Sequence, residues 1–184
     1  MGRTYDQIDD RLADWLVGQP VFFVATSPLA GDGHINCSPK GNRGELAVLD
    51  DRRIAYLDQT GSGIETVAHL AENGRIVLMF CAFEGPPRIV RIHGRGAAIC
   101  RGDDGFDELA DHFGRGHDIG VRSVIVVEAE RISDSCGYGV PFMTFDSHRK
   151  TMDQWAERKG PEGITAYWGE KNVTSLDGLP GLSA

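Results

Sequence analysis

The stretch Tyr56-Leu-Asp-Gln-Thr-Gly-Ser-Gly-Ile-Glu-Thr66 carries the most chemistry. A strand-like run ends in a glycine-rich turn, and the pattern predicts a helix with Ser62 at its N-cap and Glu65 three residues later. The unpaired amides of a first helical turn and the positive end of its dipole attract anions, so this corner is a candidate phosphate site. Gly61 and Gly63 would let an oxyanion approach the backbone, and Ser62 and Thr66 could donate hydroxyls. Two other readings stay open: a well-capped helix that binds nothing, and a dinucleotide fingerprint. The second is incomplete, because Gly61-x-Gly63-x-x-Thr66 lacks the third glycine.

Two further segments could serve such a site. In His34-Ile-Asn-Cys-Ser-Pro-Lys40, an extended chain places His34, Asn36 and Ser38 on one face, with Lys40 at its end as a point charge for phosphate. An edge strand with a solvated face would carry the same pattern. In Arg88-Ile-Val-Arg-Ile-His-Gly-Arg-Gly96, period two puts Arg91, His93 and Arg95 on one face and Val90 and Ile92 on the other. Three basic groups in a row call for solvent, an anion or acidic neighbours. Arg88, beside a Pro-Pro turn, could meet a ligand at a barrel rim.

Other chemistries find less support. There is no Gly-x-Ser-x-Gly elbow, Cys136 has no obvious base, and no catalytic acid or base is singled out. Cys37, Cys81, Cys100 and Cys136 include no Cys-x-x-Cys pair and read as reduced core thiols, with no metal site expected. The net charge of −8 argues against a nucleic-acid partner, although 15 Arg against 4 Lys leaves room for a local anion site. No apolar run approaches the length needed to cross a membrane, and residues 1–6 do not look like a secretory leader, so the expected location is cytoplasmic.

These residues need a scaffold. Thr4 and Gln7 suggest a capping box, and Tyr5, Ile8, Leu12, Trp15 and Leu16 recur at helical spacing, predicting a helix over about 5–18. Strands are predicted near 21–27 (buried on both faces), 34–38, 45–49, 53–57, 76–83, 88–100 and 121–132. Short helices are expected after Gly63 and over 106–113, with weak helical character over 152–159 and loose chain after Asn172. Few connections are long enough for parallel crossovers. The reading is an α+β, mainly antiparallel fold of six or seven strands with peripheral helices. It is a single domain over 1–184, with a core near 20–135 and a C-terminal helical extension near 148–172.

In order, Val21-Phe-Phe-Val-Ala-Thr-Ser, Ser-Pro-Lys-Gly, Ala55-Tyr-Leu-Asp, Gly-Ser-Gly-Ile-Glu-Thr, Asn-Gly-Arg-Ile-Val-Leu-Met-Phe and Arg-Ile-Val-Arg-Ile-His-Gly-Arg-Gly are similar to the pyridoxamine 5′-phosphate oxidase-like family of FMN-binding split barrels. The likeness covers about residues 20–100. It extends more loosely through 121–132 and the loop Cys136-Gly-Tyr-Gly-Val-Pro141. It implies a split β-barrel and a homodimer with FMN where the subunits meet. The strand at His34–Lys40 and the turn at Gly61–Ser62 would hold the ribityl phosphate, and the strand from Arg88 would border the ring.

By this resemblance the cofactor-binding residues are His34, Asn36, Ser38, Lys40, Gly61, Ser62, Gly63, Thr66, Arg88 and Arg91. The oxidases carry an Arg on the polar strand and Ser-Arg-Lys in the turn. Here His34 and Ser62-Gly63-Ile64 stand instead, leaving Lys40, backbone amides and a strand arginine to compensate. The C-terminal Arg-Leu-x-Pro segment that grips pyridoxal phosphate in the oxidases also has no counterpart, which speaks against that substrate. The expected function is an FMN-dependent oxidoreductase acting on a small molecule. A deazaflavin-dependent reductase and a non-catalytic flavin- or haem-binding protein are the alternatives.

Overall fold

The computed structural model describes residues 2–182; Met1, Ser183 and Ala184, which enter the leader reading and the C-terminal comparison, lie outside it. The elements in chain order are β1 (Thr4–Tyr5), α1 (Asp10–Val17), β2 (Phe22–Thr26), β3 (Asn36–Lys40), β4 (Leu46–Val48), β5 (Arg53–Gln59), α2 (Glu65–Asn73), β6 (Arg75–Cys81), β7 (Ile89–Cys100), α3 (Phe106–Ala110), β8 (Val121–Ser135) and α4 (Thr151–Lys171). One antiparallel sheet runs β3-β2-β6-β7-β8-β5-β4 and curls into a split barrel, with β1 added beside the far end of β8. The mainly antiparallel fold expected from the short connections is the fold observed.

Alternation along the strands fills the barrel. Phe22 and Val24 of β2, Tyr56 of β5, Leu78 and Phe80 of β6, Ile92 of β7 and Ile125 of β8 all point inward and are buried. Phe22 stacks on Phe80 with ring centroids 5.2 Å apart and meets Tyr56 edge-on at 5.6 Å. Each such side chain contributes roughly 1.5–3 kcal/mol by leaving water. β2 proves buried on one face only: Phe23 and Ala25 stay half-exposed because no layer covers the outside of the sheet there.

The N-terminal reading needs correction. Thr4 and Tyr5 pair with Ser133 and Ile132 of β8, so they form a strand and no capping box. α1 starts later, with Asp9 as N-cap accepting the Leu12 amide at 2.8 Å. At the other end of the chain, α4 is far longer than its weak pattern suggested: two helical segments meet at Gly160 (φ +66°), just before Pro161. After Asn172 the chain folds back on itself, bridging Thr174 to Pro180.

The split lies between the two ends of the strand order, β3 and β4. β3 is an edge strand on its free side, consistent with Pro39, which has no amide to donate to a further neighbour. β4 is only three residues long, and just beyond it the Glu45 carbonyl still accepts the Leu57 amide at 2.9 Å. The end of β5, which carries Asp58, faces β3 across this gap.

Candidate functional site

Side chains close the seam where backbone pairing stops. Lys40 at the end of β3 reaches Asp58 of β5, Nζ to Oδ1 3.0 Å, and Arg122 of β8 donates from Nε to Oδ2 of the same carboxylate at 2.6 Å. Ser123 adds a hydroxyl bond at 3.3 Å. Asp58 is fully buried, and burial alone would raise its pKa. The two cations and their hydrogen bonds outweigh that and hold it at about 2. Lys40, Asp58 and Arg122 together carry one surplus positive charge.

Arg122 then reaches the glycine turn. Its Nη1 donates to the carbonyl of Gly63 at 2.8 Å, and the Gly61 carbonyl lies at 3.5 Å. The carbonyls are thus drawn inward. Among the described residues no side chain caps the first turn of α2. The predicted cap at Ser62 is not formed: α2 has Ile64 at its N-cap, and Glu65 instead accepts the Leu176 amide at 3.2 Å. Ser62 remains exposed, free of any hydrogen-bond partner among the described residues, and nothing occupies the space where a side chain at Gly61 would begin.

The polar strand faces the same space. Ser38 donates to Asn36 Oδ1 at 3.1 Å, and Asn36 Nδ2 donates to Thr66 Oγ1 at 3.0 Å. Because Thr66 accepts in that chain, its own hydroxyl proton is available to a ligand. Asn36, Ser38, Lys40, Gly61, Ser62, Gly63 and Thr66 line one polar cavity of about 430 Å³, with Arg122 in its wall. Glu45 also lines it. Its Oε1 accepts from Asn42 and Gln59, both at 3.0 Å, and lies 3.5 Å from Arg115; burial raises its pKa against these contacts.

This cavity opens past Lys40, Gly61 and Ser62 into a larger one of about 960 Å³. Its walls are mostly apolar, among them Val21, Phe83, Met143, Phe145, Trp155 and Tyr167. A polar pocket leading into a broad apolar chamber suits a ligand with a charged tail and a flat ring.

Three of the expected residues lie elsewhere in the chain. His34 precedes β3, is largely exposed, and pairs through Nδ1 with Asp177 at 2.6 Å. Arg88 packs over the Trp15 ring and hydrogen-bonds the Tyr5 hydroxyl at 2.9 Å, beside Asp134. Arg91 bonds Ser135 at 3.1 Å. The row of basic groups on β7 is therefore met partly by acids, since Arg95 also pairs with Glu130 at 3.1 Å. The cysteines are all free, but only Cys81 is a buried thiol. Cys37 and Cys136 are exposed, Cys37 because it points outward from the edge strand β3.

Comparison with known proteins agrees with this architecture. The family model for pyridoxamine 5′-phosphate oxidase matches residues 8–136, from just before α1 to just after β8. The chain belongs to that family. A family relative from Aspergillus flavus, the pyridoxamine 5′-phosphate oxidase family protein ustO, is 39% identical over 97% of this chain and 77% of its own length. Among solved structures, a variant of HupZ from Group A Streptococcus shares the fold, with a TM-score of 0.55 and 24% identity over 70% of this chain and 99% of that one. An FMN-binding protein from Syntrophomonas wolfei aligns with a TM-score of 0.49 and 16% identity over 66% of this chain and 82% of that one.

The cavity fits the phosphate end of the family's flavin. Its donors are an ammonium, hydroxyls, an amide and a glycine turn that is open at Gly61 and backed by a buried guanidinium, while the Glu65 carboxylate lies against Gly63 and would have to turn away from a bound anion. Arg122 is a strand arginine behind the turn, and its guanidinium is engaged by Asp58, the Gly63 carbonyl and Asn172. Its signal was legible, as a lone charge within the otherwise apolar start of β8, and so was Asp58 ending the strand before the turn. Trp168 and Asn172, which bond Thr60 and Gly61, carry no motif that could have marked them.

Proposed function

We propose that the protein is an FMN-dependent oxidoreductase that acts on a small molecule, with its flavin bound where two copies of the chain meet. One observation carries this reading: the Lys40–Asp58–Arg122 seam holds an open glycine turn at the junction of a polar cavity and an apolar chamber. Lys40, the Ser62 and Thr66 hydroxyls and the amides of Gly61 and Gly63 would hold the phosphate, while Asn36 and Ser38 would line the ribityl path. The apolar wall would exclude water from the ring. Bound flavin supplies hydride or electron transfer, and the protein binds and orients it.

A second copy is part of the reading. The segment after β8 leaves Tyr138, Phe142, Met143 and Phe145 exposed, an apolar strip that a partner would cover. His34, Arg88 and Arg91, which do not reach the cavity within one protomer, would in the dimer approach the partner's flavin. Four free thiols accord with a reducing, cytoplasmic setting. No helix among the described residues is long and apolar enough to cross a membrane.

The test begins with the visible spectrum of the purified or FMN-reconstituted protein and the mass of any cofactor released from it. Flavin bands and an FMN mass are expected, with turnover of a nicotinamide donor against an artificial acceptor. A Soret band, a deazaflavin mass or a colourless protein that cannot be reconstituted would overturn the assignment. Lys40→Ala combined with Ser62→Ala should weaken FMN binding by about 1–3 kcal/mol in a fluorescence titration, the scale of charge-assisted hydrogen bonds. Unchanged affinity would remove both residues from the site.

A further inference from the structure

The glycine turn is held from behind by chain that lies outside the family match. Asn172, at the end of α4, is fully buried and bonds twice to the turn's support: its Nδ2 donates to the Gly61 carbonyl at 2.9 Å, and its Oδ1 accepts from Arg122 Nη1 at 3.0 Å. One turn earlier in α4, Trp168 Nε1 donates to Thr60 Oγ1 at 2.8 Å, and that hydroxyl donates to the Gly120 carbonyl at 2.7 Å. Beyond Asn172, the folded-back segment presents the Leu176 amide to Glu65 at the start of α2. Gly181 packs so closely on Ile64 and the Asn172 carbonyl that an added Cβ would collide with them.

A buried asparagine that satisfies both a carbonyl and a guanidinium removes two desolvation costs at once and fixes the relative position of both groups. Without it, Arg122 would keep Asp58 and the Gly63 carbonyl. Gly61 would then lose its one close donor in the turn, the Arg122 contact being long at 3.5 Å. The Gly61 carbonyl and the Ser62 N–H share one peptide plane, so the direction of that carbonyl sets where the Ser62 amide of the turn points.

We propose that Asn172, seconded by Trp168, is a positioning residue for the phosphate-holding turn, so that the C-terminal extension completes the cofactor pocket of the barrel it packs against. This rests on the flavin reading above and adds to it a role for residues outside the matched domain. The phosphate end, not the ring, is what Asn172 governs.

Riboflavin and FMN differ only in that phosphate, so comparing them separates positioning from general stability. Full-length wild type, Asn172→Leu and Trp168→Phe would each be titrated with both ligands by fluorescence quenching, with thermal midpoints measured alongside. Asn172→Leu should weaken FMN about tenfold and leave riboflavin within about twofold. Trp168→Phe, a milder change at a half-buried site, should shift FMN in the same direction by less. Equal weakening of both ligands, or no weakening of FMN, in either folded variant would overturn the proposal while the flavin reading stood. A wild type that bound neither ligand would overturn both.

Discussion

At the scale of single residues, one carboxylate between two cations holds the seam together. Asp58 is depressed to about 2 because Lys40 and Arg122 outweigh its burial. A carboxyl whose folded pKa lies below its unfolded value near 3.8 lends stability above that value and loses it as pH falls through about 2. The shift corresponds to about 2 kcal/mol, which should disappear over that acid range. Asp58→Asn should lower stability at pH 7 by about 3 kcal/mol, since it strands the buried Arg122 guanidinium and unpairs the partly buried Lys40. In urea titrations the gap from wild type should narrow as the pH approaches 2, and a gap independent of pH would contradict the seam. The sequence showed Lys40 and the glycines as candidates because their chemistry is legible in isolation. It did not show that Lys40 would meet Asp58, because that contact depends on where the sheet stops closing.

At the scale of elements, periodicity read the strands well and the helix ends poorly. Inward alternation on β7 is visible in Val90 and Ile92, and both are buried. α1 starts later than its pattern suggests because Thr4 and Tyr5 match a helical pattern locally, while their partners lie more than a hundred residues away on β8. The length of α4 is hidden in its sequence because Gly160 and Pro161 interrupt the pattern and only Ala156 and Ile164 are buried along it. The register of β7 against β8 shifts between His93 and Gly94, and an added Cβ at Gly94 would collide with the Glu128 carbonyl. Gly94→Ala should therefore destabilise the barrel by roughly 2 kcal/mol or more, read as a lower urea midpoint with an unchanged slope. An unaltered midpoint would mean that this close approach is relieved at no cost.

At the scale of the whole molecule, the barrel supplies an open seam and the C-terminal extension supplies one wall of the chamber beside it. That wall is hard to read from sequence, because Met143, Phe145, Trp155 and Tyr167 sit in a segment of weak periodicity. Sedimentation should find twice the chain mass, and Phe142→Asp with Phe145→Asp should shift it toward the monomer. A wild type that sediments as a monomer would remove the partner from the cofactor site. Where a flavin's phosphate rests decides the function of this seam, and a crystal structure of the FMN-reconstituted protein measures it. It should place the phosphate oxygens within about 3 Å of Lys40 Nζ and the Gly61–Gly63 amides. A phosphate bound elsewhere, with the glycine turn facing only solvent or the Glu65 carboxylate, would contradict it.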